Sequence, residues 1–202
     1  AVLYGWVQAR EGLRRNLPLV VAEGYMDVIA IHRSGAAAAV APLGTALTPE
    51  QIALLWKLHD EPVLCFDGDA AGQRAQTRAL ERILPLLEPG RSVRLAALPQ
   101  GMDPDDLIAA SGPEGFRKLI GTARSLVDSL WEQTQAEFDI RQPEARAQFW
   151  QVVRGHVRSI GNNQVRSAYG DEIESRIAAM RSQIRGISSM AVSYTHLRAH
   201  ET

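Results

Sequence analysis

The residues of this chain best suited to chemistry are acids that close apolar runs. Asp67 and Asp69, separated by Gly68, follow Leu64-Cys65-Phe66, and Glu23 follows Leu19-Val20-Val21-Ala22, with Asp27 four positions on. Each run reads as a buried strand that delivers carboxylates at its C-terminal end, the edge where open α/β sheets bind ligands. Acids gathered there repel one another: at roughly 5 Å and an effective dielectric near 20, one pair costs about 3 kcal/mol. A divalent cation with oxygen ligands, most simply Mg²⁺ or Mn²⁺, offsets that repulsion. A third cluster, Asp103-Pro104-Asp105-Asp106, follows another apolar run and a Pro-Gln-Gly loop.

Each acid also has a plain structural role open to it. Asp69 can cap the helix that follows, and Asp67 can make a turn with Gly68. Asp27 suits the first turn of a helix, where the dipole favours negative charge. Asp103 can cap, with Pro104 at the first helical position and Asp105 and Asp106 behind it. Capping does not by itself require acids after two separate strands, and that repetition favours the cation site.

These acids must be positioned by alternating elements. Strands are expected over Leu17–Ala22, Ala38–Pro42, Pro62–Phe66 and Ser92–Leu98, with helices between them, the pattern of a parallel sheet. Thr48-Pro49-Glu50-Gln51 is a capping box with proline at the first helical position. After Asp69, the stripe Leu80, Ile83, Leu84 and Leu87 marks a helix whose apolar face packs on the sheet and fixes the acidic loop at its N-terminus. Residues 1–16 read as a lead-in helix and 17–121 as the α/β domain. From Thr122 no strand is expected, and apolar stripes starting at Leu126, Phe149 and Tyr169 mark a small helical bundle over 122–187. The periodicity fades at Ser188, so 188–202 is expected to be a disordered or non-native tail.

Composition narrows the classes. The chain has 202 residues, 46% of them hydrophobic, and a net charge of −1, so it should not grip a long duplex by charge alone. Cys65 is the lone cysteine, which excludes a disulfide framework and a cysteine zinc site, and a cytoplasmic location is expected. No apolar run reaches membrane-spanning length, so no membrane partner is expected. There is no phosphate loop ending in Gly-Lys-Ser/Thr, no dinucleotide fingerprint and no nucleophile elbow. The helix-like opening without a Met marks the chain, as an expectation, as a piece of a longer protein.

Two enzyme classes fit the residues. One is cation-dependent phosphoryl transfer by carboxylates spread over several strands. The other is a phosphatase with Asp67 as nucleophile and Asp69 as acid, which leaves Glu23 idle.

The pieces Val21-Ala22-Glu23-Gly24-Tyr25-Met26-Asp27, Leu43-Gly44-Thr45-Ala46-Leu47-Thr48, Leu64 to Gly72 and Met102 to Asp106 resemble the Toprim region of bacterial replicative DNA primases of the DnaG type. The opening Leu3-Tyr4-Gly5 resembles the segment that joins that region to a preceding basic subdomain. The resemblance implies an α/β Toprim-like parallel sheet flanked by helices, followed by a helical subdomain. It implies synthesis of short RNA primers from ribonucleoside triphosphates on single-stranded DNA during replication. The implied catalytic acids are Glu23, Asp67 and Asp69, with Asp27, Asp103 and Asp105 as further metal ligands and Mg²⁺ or Mn²⁺ as cofactor. Arg74 and Arg78, with Arg82, lie at helical spacing after the acids and are candidates for facing phosphates. Family features not recognised in this chain are an N-terminal zinc domain, the basic subdomain and a C-terminal domain that binds the replicative helicase. The chain is thus expected to carry half of an active site and to be inactive alone. A Toprim nuclease or topoisomerase piece, or a non-catalytic Toprim module that only recruits partners, are the alternatives.

Overall fold

The computed structural model describes residues 2–42 and 47–198, with side chains as far as residue 184. Its centre is a six-stranded sheet ordered β1-β3-β2-β4-β5-β6. The strands are β1 (Leu3–Tyr4), β2 (Leu19–Val21), β3 (Ala38–Pro42), β4 (Val63–Phe66), β5 (Arg94–Ala97) and β6 (Arg124–Ser125). The inner four run parallel, with Val20 between Ala39 and Val63 and Leu64 beside Leu95.

Successive strand residues point to opposite faces, and each face carries its own core. Val20, Ala39 and Cys65 pack with Val28 and Ile31 of α2 (Tyr25–Ser34) and with Phe116 and Ile120 of α5 (Pro104–Gly121). Val21, Val40 and Leu64 pack under α1 (Trp6–Arg14), α3 (Pro49–Leu58) and α4 (Ala70–Ile83), chiefly through Ala9, Ile52, Leu55, Leu80 and Ile83. Full burial of each Leu, Ile or Phe contributes about 1.5–3 kcal/mol. The Thr48 cap forms as its sequence requires: Thr48 Oγ1 accepts from the Gln51 N–H at 3.3 Å, and Gln51 Oε1 accepts from the Thr48 N–H at 2.9 Å.

Beyond the sheet, α6 (Leu126–Ala136), α7 (Pro143–Ser159) and α8 (Asn163–Arg198) share a core of Phe149, Val153, Val157, Ile173 and Ile177. Trp131 meets Phe149 edge to face at 4.9 Å. Leu126, Leu130 and Ile160 belong instead to the core of the sheet, so the bundle is docked on it without a break.

Four particulars differ from the expectations. The sheet is mixed, because β1 pairs antiparallel with β3 and β6 antiparallel with β5. Both added strands are two residues long, too short to show a period of two. The lead-in region is therefore not all helix: Gly5, at φ 79°, turns the chain from β1 into α1. Likewise the region after Thr122 opens with β6 rather than with helix. At the other end, α8 continues through 188–198, a stretch with no Gly or Pro to break a helix, so fading apolar periodicity there does not end the element. Residues 199–202 lie outside the described residues.

Candidate active site

β2 and β4 are hydrogen-bonded neighbours, yet the chain leaves β2 towards β3 on one side before it returns to β4 on the other. The loops that follow β2 and β4 therefore diverge, and the crevice between them at the C-terminal ends of the strands is a topological switch point. Asp67 follows the last residue of β4 directly, and Glu23 stands two residues past β2.

Local structure gives the acids two different duties. Asp69 is the N-cap of α4, and its Oδ1 accepts from the N–H groups of Ala71 and Gly72, both at 2.8 Å. Asp27 is 8% exposed, and its Oδ2 accepts from the Gly24 N–H at 3.1 Å. Asp103 caps α5, its Oδ1 accepting from the Asp106 N–H at 2.7 Å. Asp105 lies exposed in the first turn of α5. Glu23 and Asp67 have no such structural partner among the described residues: Glu23 Oε2 and Asp67 Oδ1 are buried without a hydrogen bond. A buried carboxylate oxygen with nothing to accept is costly and marks a place for a ligand.

The loops are stitched together by backbone. Gly68 donates to the Met102 carbonyl at 2.9 Å, and its own carbonyl accepts from the Gly101 N–H at 3.0 Å. A Cβ at Gly68 would stand 2.0 Å from the Pro99 oxygen, so only glycine lets the β4–α4 loop lie this close to the β5–α5 loop. That approach carries Asp103 to the acids of β2 and β4.

The consequence is a concentrated negative field. Burial, then the charges of Asp27, Glu23, Asp103 and Asp69, push the Asp67 carboxyl up to about 6 from an ordinary 3.8. Asp27 is also raised, first by burial and then by Asp103, Glu23 and Asp105, against the lowering effect of the Gly24 N–H. All six acids expected from the sequence thus act on one another through Asp67 or Asp27. Among the described residues none of the six forms an ion pair. Nor do any three acid, histidine or cysteine side chains close into a ready-made metal cage. An all-oxygen donor set with two open carboxylates and spare room suits Mg²⁺ or Mn²⁺, which keep several waters and take the remaining ligands from substrate phosphates.

The expected arginines divide. Arg82 donates to the Leu47 carbonyl at 2.7 Å and serves the fold. Arg74 and Arg78 are exposed on α4. The side of α4 that lines a cleft of about 940 Å³ beside Asp67 and Asp69 carries Gln73, Gln76 and Thr77 instead. This cleft, walled also by Ser129, Gln133 and Ala136 of α6, was not foreseen; its only trace in the sequence is the spacing of the two α4 glutamines. Of the motif at 43–48, Leu43 to Ala46 lie outside the described residues.

Comparison with known proteins gives a consistent result. Residues 18–97 match the Toprim domain family. The chain is 40% identical over 165 residues to the DNA primase of Pseudomonas aeruginosa, covering 81% of this chain and 25% of that protein. Among solved structures, a DNA primase domain from Pseudomonas aeruginosa superimposes with a TM-score of 0.77 at 38% identity, over 86% of this chain and 54% of that one. A DnaG primase catalytic domain bound to single-stranded DNA gives a TM-score of 0.74 at 34% identity, over 86% of this chain and 56% of that one. The chain spans about a quarter of the curated relative and just over half of the solved catalytic domains.

Proposed function

We propose that this chain, a Toprim domain with its helical appendage of the DnaG primase type, carries the cation-binding half of a primase active site. In this reading the whole enzyme joins ribonucleoside triphosphates into a short RNA primer on single-stranded DNA during replication. The observation that carries the reading is the pair of buried carboxylate oxygens of Glu23 and Asp67 at the switch point, unpartnered among the described residues.

Each residue then has a task. Glu23 and Asp67 supply the open oxygens that hold Mg²⁺ or Mn²⁺. Asp69 anchors α4 through its Oδ1, and in this reading its second oxygen is available to the same cation. Asp27, Asp103 and Asp105 add negative charge from the N-terminal ends of α2 and α5 and serve as second ligands. A divalent cation bound there would neutralise triphosphate charge, make the attacking 3′-hydroxyl more acidic and stabilise the pyrophosphate leaving group. Arg74 and Arg78 stand as candidates to meet outlying phosphates. Template and nucleotide need more cationic contacts than Arg74 and Arg78 provide, and in this reading a basic subdomain of the longer enzyme supplies them. A zinc domain and a helicase-binding domain likewise belong to the longer enzyme, and the working location is the bacterial cytoplasm, at the nucleoid.

The test is Mn²⁺ binding to the chain, followed by electron paramagnetic resonance, together with primer synthesis by the longer parent enzyme. Glu23→Gln and Asp67→Asn should each weaken Mn²⁺ binding and nearly abolish dinucleotide formation while the fold is kept. Normal primer yield from both variants would reduce the chain to a non-catalytic recruitment module.

A further inference from the structure

The acid edge also carries an exposed aromatic pair. Tyr25 is 56% exposed and Met26 60%, immediately after Glu23 and Gly24. Tyr4 meets Tyr25 edge to face, with ring centroids 5.9 Å apart and planes at 65°. Large apolar side chains left in water beside a buried charge cluster call for an occupant.

The backbone beneath these rings is held firmly. Leu3 is buried in the sheet core, and Leu3 and Tyr4 pair with Pro42 and Ala41 at the C-terminal end of β3, the same edge from which the acids emerge. Gln51 Nε2 donates to the Val2 carbonyl at 2.9 Å. The Tyr4 ring is thus held on a fixed support, and Tyr25 meets it edge to face while more than half of Tyr25 stays exposed. The surroundings decide what such faces suit. The acids can hold phosphates only through cations, and they repel any other anion, so a nucleotide bound here needs an uncharged grip on its base. Aromatic faces give that grip to any base, because every base has a π-face.

We propose that Tyr25, propped by Tyr4, is the stacking platform for the base of the nucleotide whose phosphates are held at the Glu23–Asp67 cation site. The proposal rests on the function argued above. Tyr25 is a positioning residue: it orients the nucleotide and leaves cation binding alone.

The test compares two probes on the full chain in Mn²⁺: a ribonucleoside triphosphate with a fluorescent base, 2-aminopurine, and inorganic tripolyphosphate, which has no base. With the wild-type chain, the nucleotide should bind more tightly than tripolyphosphate, and its fluorescence should be quenched by stacking. Tyr25→Ala should cost roughly 5- to 100-fold in nucleotide affinity. It should abolish the quenching and leave tripolyphosphate and Mn²⁺ affinity unchanged; Tyr25→Phe should restore both affinity and quenching. Equal losses for nucleotide and tripolyphosphate would show a general structural role and overturn the proposal. So would nucleotide binding unaltered in Tyr25→Ala, the result expected if another protein segment covers the pair. Wild-type binding of tripolyphosphate with no gain from a base would overturn this proposal alone. Absence of any cation-dependent binding would overturn the cation site as well.

Discussion

Carboxylates at the sheet edge and in the helical bundle stand in opposite circumstances. In the bundle they have cationic partners: Asp128 and Glu172 share Arg176, and Glu174 pairs with Arg154 through two bonds of 2.6 and 2.8 Å. Asp128 is held below the usual carboxylate range, by the Ser125 hydroxyl first and Arg176 second, and Glu174 is lowered by Arg154. At the sheet edge, Asp27 and Asp67 are raised, and no cationic side chain answers them among the described residues. The bundle spends its acids on solvated pairs worth little each. The sheet edge instead keeps a repulsion that a bound cation would relieve. The candidate site lies where the fold tolerates an unpaired charge.

The largest effect should come from the region without chemistry. Phe149 is fully buried, at the centre of the bundle against Trp131 and Phe138. Phe149→Ala should lower stability by about 3–5 kcal/mol, since large-to-small changes lose both burial and packing. Because Leu126, Leu130 and Ile160 sit in the core of the sheet, bundle and sheet should melt together. Denaturant curves followed by Trp fluorescence and by circular dichroism should coincide. Two separated transitions would break the comparison by showing two independent units.

Next in size is the loss of a cation ligand. Glu23→Gln should reduce Mn²⁺ affinity about 100-fold or more, beyond what altering a ligand's supporting contact costs. Glu174→Gln, which removes the same kind of carboxylate from the bundle, should leave it unchanged. Comparable losses from the two variants, measured by titration, would mean that net charge rather than the switch-point geometry attracts the cation.

Much of this arrangement was legible in the sequence. The four inner strands, the Thr48 and Asp103 caps and the convergence of the acids follow from apolar runs, turn residues and capping patterns, because those signals are local. The edge strands β1 and β6 were not legible: two residues carry no periodicity, and their pairing is decided by distant partners, Pro42 and Ala41 for β1 and Arg94 and Leu95 for β6. Nor could residue types alone separate the acids by duty. Capping by Asp69 and an open oxygen on Asp67 depend on backbone direction, which the spacing of Asp-Gly-Asp does not reveal. The split between Arg82, tied to Leu47, and the exposed Arg74 and Arg78 depends in the same way on what lies across the fold.

The two regions should also answer pH with opposite signs. The folded chain holds the Asp67 proton up to about pH 6, whereas the unfolded chain releases it near the ordinary value of 3.8. Between those values the native state binds more protons, so without cations this group favours folding as pH falls and disfavours it as pH rises. Asp67→Asn should therefore raise cation-free stability at pH 7 by about 1 kcal/mol, once solvent screening is allowed for. The gain should vanish below about pH 4. Asp128 behaves conversely: its contribution is complete above its ordinary value and is lost as pH falls through the lowered one. Denaturant midpoints from about pH 2 to pH 8 for Asp67→Asn and Asp128→Asn decide the matter, and slopes of the same sign would dissolve the contrast.

The smallest expected change in stability lies at Asp103, where the two kinds of acid meet in one residue. It is a cap by geometry, with Oδ1 on the Asp106 N–H, and a member of the acid cluster by charge, since it raises both Asp67 and Asp27. Asparagine accepts the same hydrogen bond without the charge, so Asp103→Asn should shift stability by no more than about 0.5 kcal/mol. If the residue belongs electrostatically to the site, the substitution should bring the Asp67 carboxyl below about 6, seen in its ¹³C shift on titration, and weaken Mn²⁺ several-fold. A pure cap would leave both unmoved, because the charge of a carboxylate is not needed to hold a backbone N–H. That outcome would contract the cation site to the loops after β2 and β4, and would leave the stitching of Gly68 to Met102 as a device for holding α5 alone.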